Sequence, residues 1–276
     1  MLNTDMLLIL KLILTPFFTG VVSAVGRRWG SQVSGWLIGL PLTAGPISVF
    51  LALEHGSFFA SHAAHGTLLG VVSLAAFCLA YSWSSWKFNW PISLLIGWLV
   101  FAIATFLLMP LQLPLLVSFI GVVCILLLTL VLFPREIASA NASQTVSSSR
   151  WEILGRMVTA TIFVLLLTAS ANLLGPVLSG LLAPFPLFAT ILAVFAHHFQ
   201  DAGSARRVLH GLIFGAFAFA TFFLVIAQYL PTWGLALTFT GAIVTALLVQ
   251  GCSFWILKSY ERKKRNLFRS VTIDRD

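Results

Sequence analysis

Charged side chains are scarce in this chain: among 276 residues, only 8 are acidic and 16 are basic. They make up 9% of the sequence, where about a quarter is usual for soluble domains. Hydrophobic residues reach 59%, and so few charges could not keep the uncovered apolar surface of a soluble fold in solution. The composition excludes a soluble globular protein and predicts an all-α polytopic membrane protein.

Acidic residues are missing from the middle of every apolar run. All eight lie in loops, tails or near run ends, at Asp5, Glu54, Glu136, Glu152, Asp201, Glu261, Asp274 and Asp276. A transporter that relays protons through a buried carboxylate should place one at mid-membrane. The sequence also lacks a glycine-rich phosphate loop, paired catalytic carboxylates and a Ser/His/Asp set. We therefore predict no catalytic residue and no enzyme; an enzyme acting on lipid is the least supported alternative.

Cysteine is rare as well. Cys78, Cys124 and Cys252 all fall inside apolar runs, with neither metal-ligand spacing nor a disulfide framework. No cofactor and no metal site is predicted. Four residues that could ligate a metal crowd one predicted outer loop, but their spacing matches no compact zinc motif. A solvated loop is the favoured interpretation of this set: Glu54, His55, His62 and His65.

Nine apolar runs are long enough to cross a membrane, which takes about 20 residues as a helix. They cover 6–26, 33–53, 65–83, 91–109, 115–133, 153–174, 177–198, 208–229 and 235–257. The one long connection is the polar segment 134–150. The N-terminus has no basic region before its apolar run, so we expect the first run to be retained as a span rather than cleaved as a signal peptide.

The basic residues test this count. Seven of the 16 lie in the tail 258–276, and a basic tail after a span marks the cytoplasmic side more often than a nucleic-acid site. With the tail inside, nine spans place the N-terminus outside and 15 of the 16 basic residues on the cytoplasmic side. The exception, Lys11, can snorkel outward from the first span. No nucleic-acid partner is expected.

An internal repeat emerges when the chain is shifted by 145 residues. The stretch 30–70 then aligns with 175–215 without a gap, and 13 of 41 positions are identical. In this alignment GSQVSGWLIGLPLTAGPISVF faces GPVLSGLLAPFPLFATILAVF, and HGTLLG faces HGLIFG. The chain is thus divided into repeat A (1–109), a linking span with a polar loop (110–150), repeat B (151–257) and a basic tail (258–276).

The offset of five spans turns the second repeat upside down. The loop after the first span carries Arg27 and Arg28, whereas its counterpart 172–175 has no basic residue. The loop after the second span has no Lys or Arg, whereas its counterpart carries Arg206 and Arg207. Opposite charge bias is what inverted insertion requires. We predict two inverted four-helix repeats joined by a linking span, a plan typical of secondary transporters.

Glycine and proline crowd the second span of each repeat. Proline removes a helix hydrogen bond, and backbone groups freed at membrane depth must be satisfied by protein or by a wet cavity. Paired breaks at corresponding positions indicate a transporter's binding site; a pair of kinked packing helices without a ligand is the alternative. The predicted substrate-binding residues are Ser34, Gly35, Pro41, Gly45, Pro46, Ser179, Gly180, Pro184 and Pro186.

Four polar residues near predicted span ends are candidate gates or polar relays. His65 and His210 open the third and eighth spans within HG-x-x-x-G elements, whose glycines permit close helix approach. Interfacial caps and proton carriers are both open interpretations of these histidines. Glu54 and Asp201 lie near the ends of equivalent broken helices, where opposite-face gates and solvated helix ends explain them equally well.

The stretch 178–224, LSGLLAPFPLFATILAVFAHHF followed by RRVLHGLIFGAFAFATFFL, resembles the GlpM-like small inner-membrane proteins of bacteria. In those chains a span broken by glycine and proline precedes a polar turn and a glycine-containing span. This chain departs from that pattern by its two copies, its central span and its basic tail. The resemblance implies a bacterial inner-membrane location and transfers no binding or catalytic residue.

Together these features predict a secondary transporter or permease of the bacterial inner membrane, with its N-terminus outside and its C-terminus cytoplasmic. Half-helix N-termini aimed at a cavity favour anionic groups, and Lys11 corresponds to Arg156 at the repeat offset. The expected partners are the lipid bilayer and a small anionic or zwitterionic solute or lipid headgroup; a homo-oligomer is left open. The alternative is a non-transporting accessory protein for envelope assembly.

Overall fold

The computed structural model describes residues 9, 12–13, 16–17, 36, 39–41, 44–134 and 150–273. These residues form helices and no strands, with the bounds α1 Ala44–Ser84, α2 Trp90–Leu108, α3 Leu115–Leu132, α4 Arg150–Leu182, α5 Leu187–Phe199 and α6 Ala202–Ile273. Five of the six are long and apolar enough to cross a membrane. The predicted all-helical membrane class is confirmed, although this part of the chain forms six helices rather than nine separate ones. The first predicted span, 6–26, lies almost entirely outside the described residues.

Three of the helices change direction at a glycine. Gly56 in α1, Gly175 in α4 and Gly234 in α6 have φ values of 86°, 72° and 74° with ψ near 170°, a region that is essentially restricted to glycine. An unbroken helix of the 72 residues in α6 would be about 108 Å long, whereas the hydrocarbon core of a bilayer is about 30 Å thick. These glycines allow a continuous helical chain to fold back on itself.

Two predicted loops are helical, which corrects the sequence interpretation. The residues from Glu54 to His65 lie inside α1, where the chain departs from helical geometry only at Gly56. Likewise α6 begins at Ala202, so the second predicted loop is reduced to Gln200 and Asp201. A helix does not have to end where its apolar run ends, because polar residues continue the same backbone hydrogen-bond ladder.

The centre of the molecule consists of two helical segments. One is 57–84 of α1, which follows the break at Gly56, and the other is 202–233 of α6, which follows the turn at Gln200 and Asp201. Ser61 Oγ donates to the Ala227 carbonyl at 2.8 Å, and Arg206 Nη1 donates to Ser85 Oγ at 3.1 Å. The start of each segment therefore lies against the end of the other, and the two run antiparallel. Most of their side chains are buried, which makes them the core.

Helix α2 packs on this core along a narrow stripe. Its buried residues are Ser93, Gly97, Phe101 and Thr105, each one helical turn from the next. Its other faces carry large apolar side chains, such as Leu95 and Phe106, that are mostly exposed. Helix α3 likewise buries one narrow stripe and exposes large apolar side chains on its other faces. An apolar outer surface on both helices is what contact with lipid requires.

Candidate functional site

The first predicted helix break lies immediately before α1. The chain turns at Gly39, whose N–H donates to the Trp36 carbonyl at 3.2 Å, and helical bonding resumes where the Gly45 N–H donates to the Pro41 carbonyl at 2.8 Å. The Gln250 side-chain amide donates to the same Trp36 carbonyl at 2.9 Å. A buried side chain thus satisfies a carbonyl at the break, as a membrane interior demands.

The second predicted break separates α4 from α5, over residues 183–186. The Phe185 N–H donates to the Leu182 carbonyl at 3.0 Å, and the next helix starts with the Thr190 N–H bonded to the Pro186 carbonyl at 2.7 Å. Pro41 and Pro186 therefore hold equivalent places, each accepting the first hydrogen bond of a restarted helix.

The two breaks pack against glycines of the two central segments. A Cβ atom on Gly39 would overlap the backbone of Gly215, and a Cβ atom on Gly70 would lie 2.6 Å from Pro184 Cγ. Gly70 and Gly215 are 145 residues apart in the chain, and so are Gly39 and Pro184. The second contact is therefore the first one with the two halves exchanged.

Of the remaining predicted binding residues, Gly180 and Ser179 lie on the last turns of α4, whereas Ser34 and Gly35 fall outside the described residues. Gly180 packs against the backbone of Ala63 and Thr67 so tightly that a Cβ atom would overlap both. Ser179 is fully buried, and its Oγ has no hydrogen-bond partner among the described residues.

A small cavity lies between the two breaks. Its volume is about 40 Å³, and its lining includes Gly39, Leu40, Pro184 and Pro186. One water needs roughly 10–15 Å³ of such volume, so this space corresponds to a few waters at most. The breaks meet at a closely packed centre.

A larger cavity opens beside the first break. It has a volume of about 290 Å³, and three predicted binding residues, Pro41, Gly45 and Pro46, contribute to its wall. The other lining side chains are apolar and come from the break itself, from α1 and from both segments of α6: Leu40, Val49, Phe50, Phe222, Phe239, Ile243, Ala246 and Leu247.

The corresponding place beside the second break is filled by aromatic side chains. The Phe185 ring lies 6.0 Å from that of Trp98 and 5.5 Å from that of Phe101, measured between ring centroids. Trp98 Nε1 also donates to Thr190 Oγ1 at 3.2 Å. The places beside the two breaks thus differ: a cavity opens beside the first, and aromatic side chains fill the space beside the second.

The predicted gate residues are dispersed. His65 Nε2 lies 2.8 Å from Ser118 Oγ at the start of α3, and the His210 ring packs 5.1 Å from Phe133, just after the end of α3. Asp201 caps α6 by accepting from the Ser204 N–H. Glu54 is exposed on α1.

Several polar contacts were missed from the sequence. Tyr81 Oη lies 3.1 Å from His197 Nδ1, and the Arg206 guanidinium lies 4.4 Å from the Trp86 ring centroid. Only the contact of Gln250 could have been predicted from the sequence, because an amide inside the apolar run TALLVQGCSF needs a hydrogen-bond partner. Across the residues the structure describes, no group of three or more His, Cys, Asp and Glu could hold a metal ion.

The fold and the site define an all-helical membrane protein in which two helix breaks meet at the centre. Comparison with family models, curated protein sequences and solved structures gives no match for the chain. The similarity to GlpM-like proteins therefore stays a prediction from the residues alone.

Proposed function

We propose that the chain is a secondary transporter or permease of the bacterial inner membrane, built from two inverted four-helix repeats around a linking span. The observation that carries the proposal is the exchanged packing of the two breaks, Gly39 on Gly215 and Pro184 on Gly70. Contacts that recur with their partners swapped are expected of two copies related by a half-turn. Inverted repeats with broken helices at their interface are the plan of many secondary transporters.

In this proposal the glycine breaks are the ends of spans. Gly56, Gly175 and Gly234 would each separate two spans, and the non-helical residues 183–186 would lie within one. With the predicted first span, this gives nine spans in all. Shifted by 145 residues, Gly56 corresponds to Asp201 and Gly234 to Asn89, both of which lie in connections between helices.

Burial supports the same correspondence. The stripe that α2 buries, Ser93, Gly97, Phe101 and Thr105, shifts by 145 residues onto four positions of α6 that are all buried. These are Thr238, Ala242, Ala246 and Gln250. Because an apolar sequence alone does not specify which face of a span is buried, this agreement is independent of the sequence match.

The linking span also fits a half-turn axis. His65 lies against one end of α3 and His210 against the other, and these histidines are equivalent in the repeat. An axis through the middle of α3 would exchange them.

The substrate we propose is a small anionic or zwitterionic solute or a lipid headgroup. Restarted helices at Ala44 and Leu187 would direct the positive ends of their dipoles toward the breaks. The difference between the open cavity and the filled aromatic region fits one state of alternating access, in which one region between the repeats is open while its counterpart is closed.

Cross-linking of purified protein in lipid vesicles tests this function. In a background without the three native cysteines, Trp98→Cys with Thr190→Cys joins repeat A to repeat B across the filled region. Ser73→Cys with Thr105→Cys is the matched control, since this 2.9 Å contact lies within repeat A. A short, cleavable thiol cross-linker should stop transport in the first pair and not in the second, and cleavage should restore it.

The probes are labelled small anions and zwitterions, together with a fluorescent phospholipid whose movement between leaflets is read by dithionite quenching. Unchanged flux in the cross-linked inter-repeat pair would contradict the proposal.

A second candidate, a non-transporting accessory protein, is favoured by one observation. The space between the breaks is only about 40 Å³, which suits a rigid packing centre. For that function, no probe should cross the vesicles faster than without protein, and cells carrying the cross-linked inter-repeat pair should keep the wild-type envelope.

A further inference from the structure

The 290 Å³ cavity beside the first break is lined entirely by apolar side chains and by Gly45. A polar or charged group placed against such walls would lose its hydrogen bonds to water without replacement. Apolar cavities of about 150 Å³ hold a benzene ring, and this one is larger. Its chemistry and size suit a segment of hydrocarbon chain.

The cavity lies where three aromatic side chains of the filled region have smaller counterparts. Trp98, Phe101 and Phe185, which fill the closed region, correspond at the 145-residue offset to Ile243, Ala246 and Leu40. All three of these line the cavity. The smaller side chains at these three positions leave room for the cavity.

The cavity is continuous with the outer apolar surface of the protein. Ile243 and Leu247, which contribute to its wall, are 52% and 56% exposed, and the neighbouring Val244 and Leu248 are also exposed. In a membrane this face of α6 meets lipid, so a chain can enter sideways. The floor is formed by Phe50 and Phe222, both buried.

From these observations we infer that the cavity binds the hydrocarbon chain of an amphiphilic lipid. Resting on the proposed function, this inference selects a lipid as the substrate, with its headgroup outside the apolar walls, over a small water-soluble ion.

Photolabelling of the whole protein in nanodiscs tests the inference. The probes are fatty acids of increasing chain length that carry a diazirine on the terminal carbon, and labelled peptides are mapped by mass spectrometry. Label is expected on Phe50 and Phe222. The variant Ile243→Trp with Ala246→Phe copies the aromatic residues of the other repeat into the cavity. It should reduce this label at least about tenfold, because each excluded methylene weakens binding about fourfold.

The matched control is Leu248→Trp, which adds an aromatic side chain to the lipid-facing surface of the same helix, outside the cavity, and should leave the label unchanged. If the filled variant does not fold, the chain-length dependence of labelling in the wild-type protein tests the inference. Occupancy should rise with chain length and then level off when the cavity is full, whereas simple partitioning into lipid keeps rising.

Label confined to outward residues such as Leu248, or equal label in the filled variant, would overturn the inference. The inference would also be overturned if the protein's own residues 1–35 excluded every probe from the cavity, which would be detected as cross-links between cavity residues and 1–35. Labelling requires no flux. A protein that binds the chain but transports nothing would therefore refute the transporter alone, and one that transports a polar solute without cavity label would refute the lipid inference alone.

Discussion

At the scale of single residues, glycines set how closely the two halves approach. Gly39, Gly66, Gly70, Gly180 and Gly215 all pack against backbone or proline atoms of another helix, whereas Gly121, Gly241 and Gly251 have open space where a Cβ atom would lie. Inside a membrane, close backbone approach replaces the hydrophobic effect as a source of helix association. The first group of glycines is therefore structural, and the second is not.

Replacing Gly215 or Gly180 with Ala should destabilise the protein by about 1–3 kcal/mol, because the new methyl group would force packed backbones apart. The matched control is Gly241→Ala in α6, which should be neutral or stabilising by roughly 0.5–1 kcal/mol, since alanine favours helix over glycine. Thermal unfolding in detergent, followed by circular dichroism, measures both. Equal melting temperatures for Gly215→Ala and Gly241→Ala would show that the central contact is not tight.

Gln250 is the residue that stabilises the first break. Its amide donates to the Trp36 carbonyl, and Trp36 Nε1 donates to Ser253 Oγ one turn further along α6. Together these bonds connect the part of α6 that follows Gly234 to the break that precedes α1.

The variant Gln250→Leu removes the amide and should lower stability by about 1 kcal/mol, in the range of hydrogen bonds between membrane helices. Gln228→Leu, an exposed amide on the same helix, should change stability by less than about 0.5 kcal/mol. The two variants are compared by unfolding in mixed detergent. A loss of stability in Gln228→Leu as large as in Gln250→Leu would remove the special role of this bond.

At the scale of helices, the breaks were predictable and the connections were not. Glycine and proline in 39–46 and two prolines in 183–186 indicate interrupted helices, because proline removes a backbone donor and glycine lowers helix stability. The structure has non-helical residues in both places. The connection between the second and third predicted spans, 54–64, was predicted as a loop because it contains polar residues. It turns at Gly56 alone, and composition does not distinguish a polar helical turn from a loop.

The candidate site was only partly readable for a similar reason. Pro41, Gly45 and Pro46 do line a cavity, but its apolar character depends on side chains from α6 that lie almost 200 residues away. The filled counterpart depends on Trp98 reaching Thr190. Such contacts depend on tertiary packing, because the residues that form them are far apart in the chain. Local sequence patterns do not predict them.

Replacing Pro41 or Pro186 with Ala tests the functional role of the breaks. At position 186, alanine would supply an N–H that can bond toward Leu182 and favour a continuous helix, by about 3 kcal/mol of propensity. The protein should still insert, but transport should fall, because the restarted helix and its exposed N-terminus would be lost. Pro91→Ala, at the first turn of α2 where proline is tolerated, is the control.

Insertion of these variants is measured by membrane fractionation and transport by the vesicle assay. Full transport by the Pro41→Ala and Pro186→Ala double variant would assign both prolines to packing and leave the breaks without a role in substrate binding.

At the scale of the whole molecule, distant parts of the chain that were predicted to be cytoplasmic lie together. Lys87 follows α1, and the same turn contains Ser85 and Trp86, which contact Arg206. The turn that contains Lys87 therefore lies beside Arg206, although more than 100 residues separate them in the chain. The His65 contact with Ser118 lies at the start of α3, and the His210 contact with Phe133 lies beyond its end. These two contacts would then face opposite sides of the bilayer.

The final prediction concerns this orientation. In a variant without native cysteines, Glu54→Cys should react with a membrane-impermeant maleimide added outside intact cells, because Glu54 is exposed close to the Gly56 turn. Ser143→Cys and Ser270→Cys should react only after the membrane is opened, since basic loops and tails stay cytoplasmic. Glu54 and Ser270 lie on opposite sides only if an odd number of spans separates them. In the nine-span arrangement two spans precede Glu54 and seven lie between Glu54 and Ser270. Labelling of Glu54→Cys and Ser270→Cys from the same side would exclude nine spans, and with them the half-turn relation that connects Gly39 on Gly215 to Pro184 on Gly70.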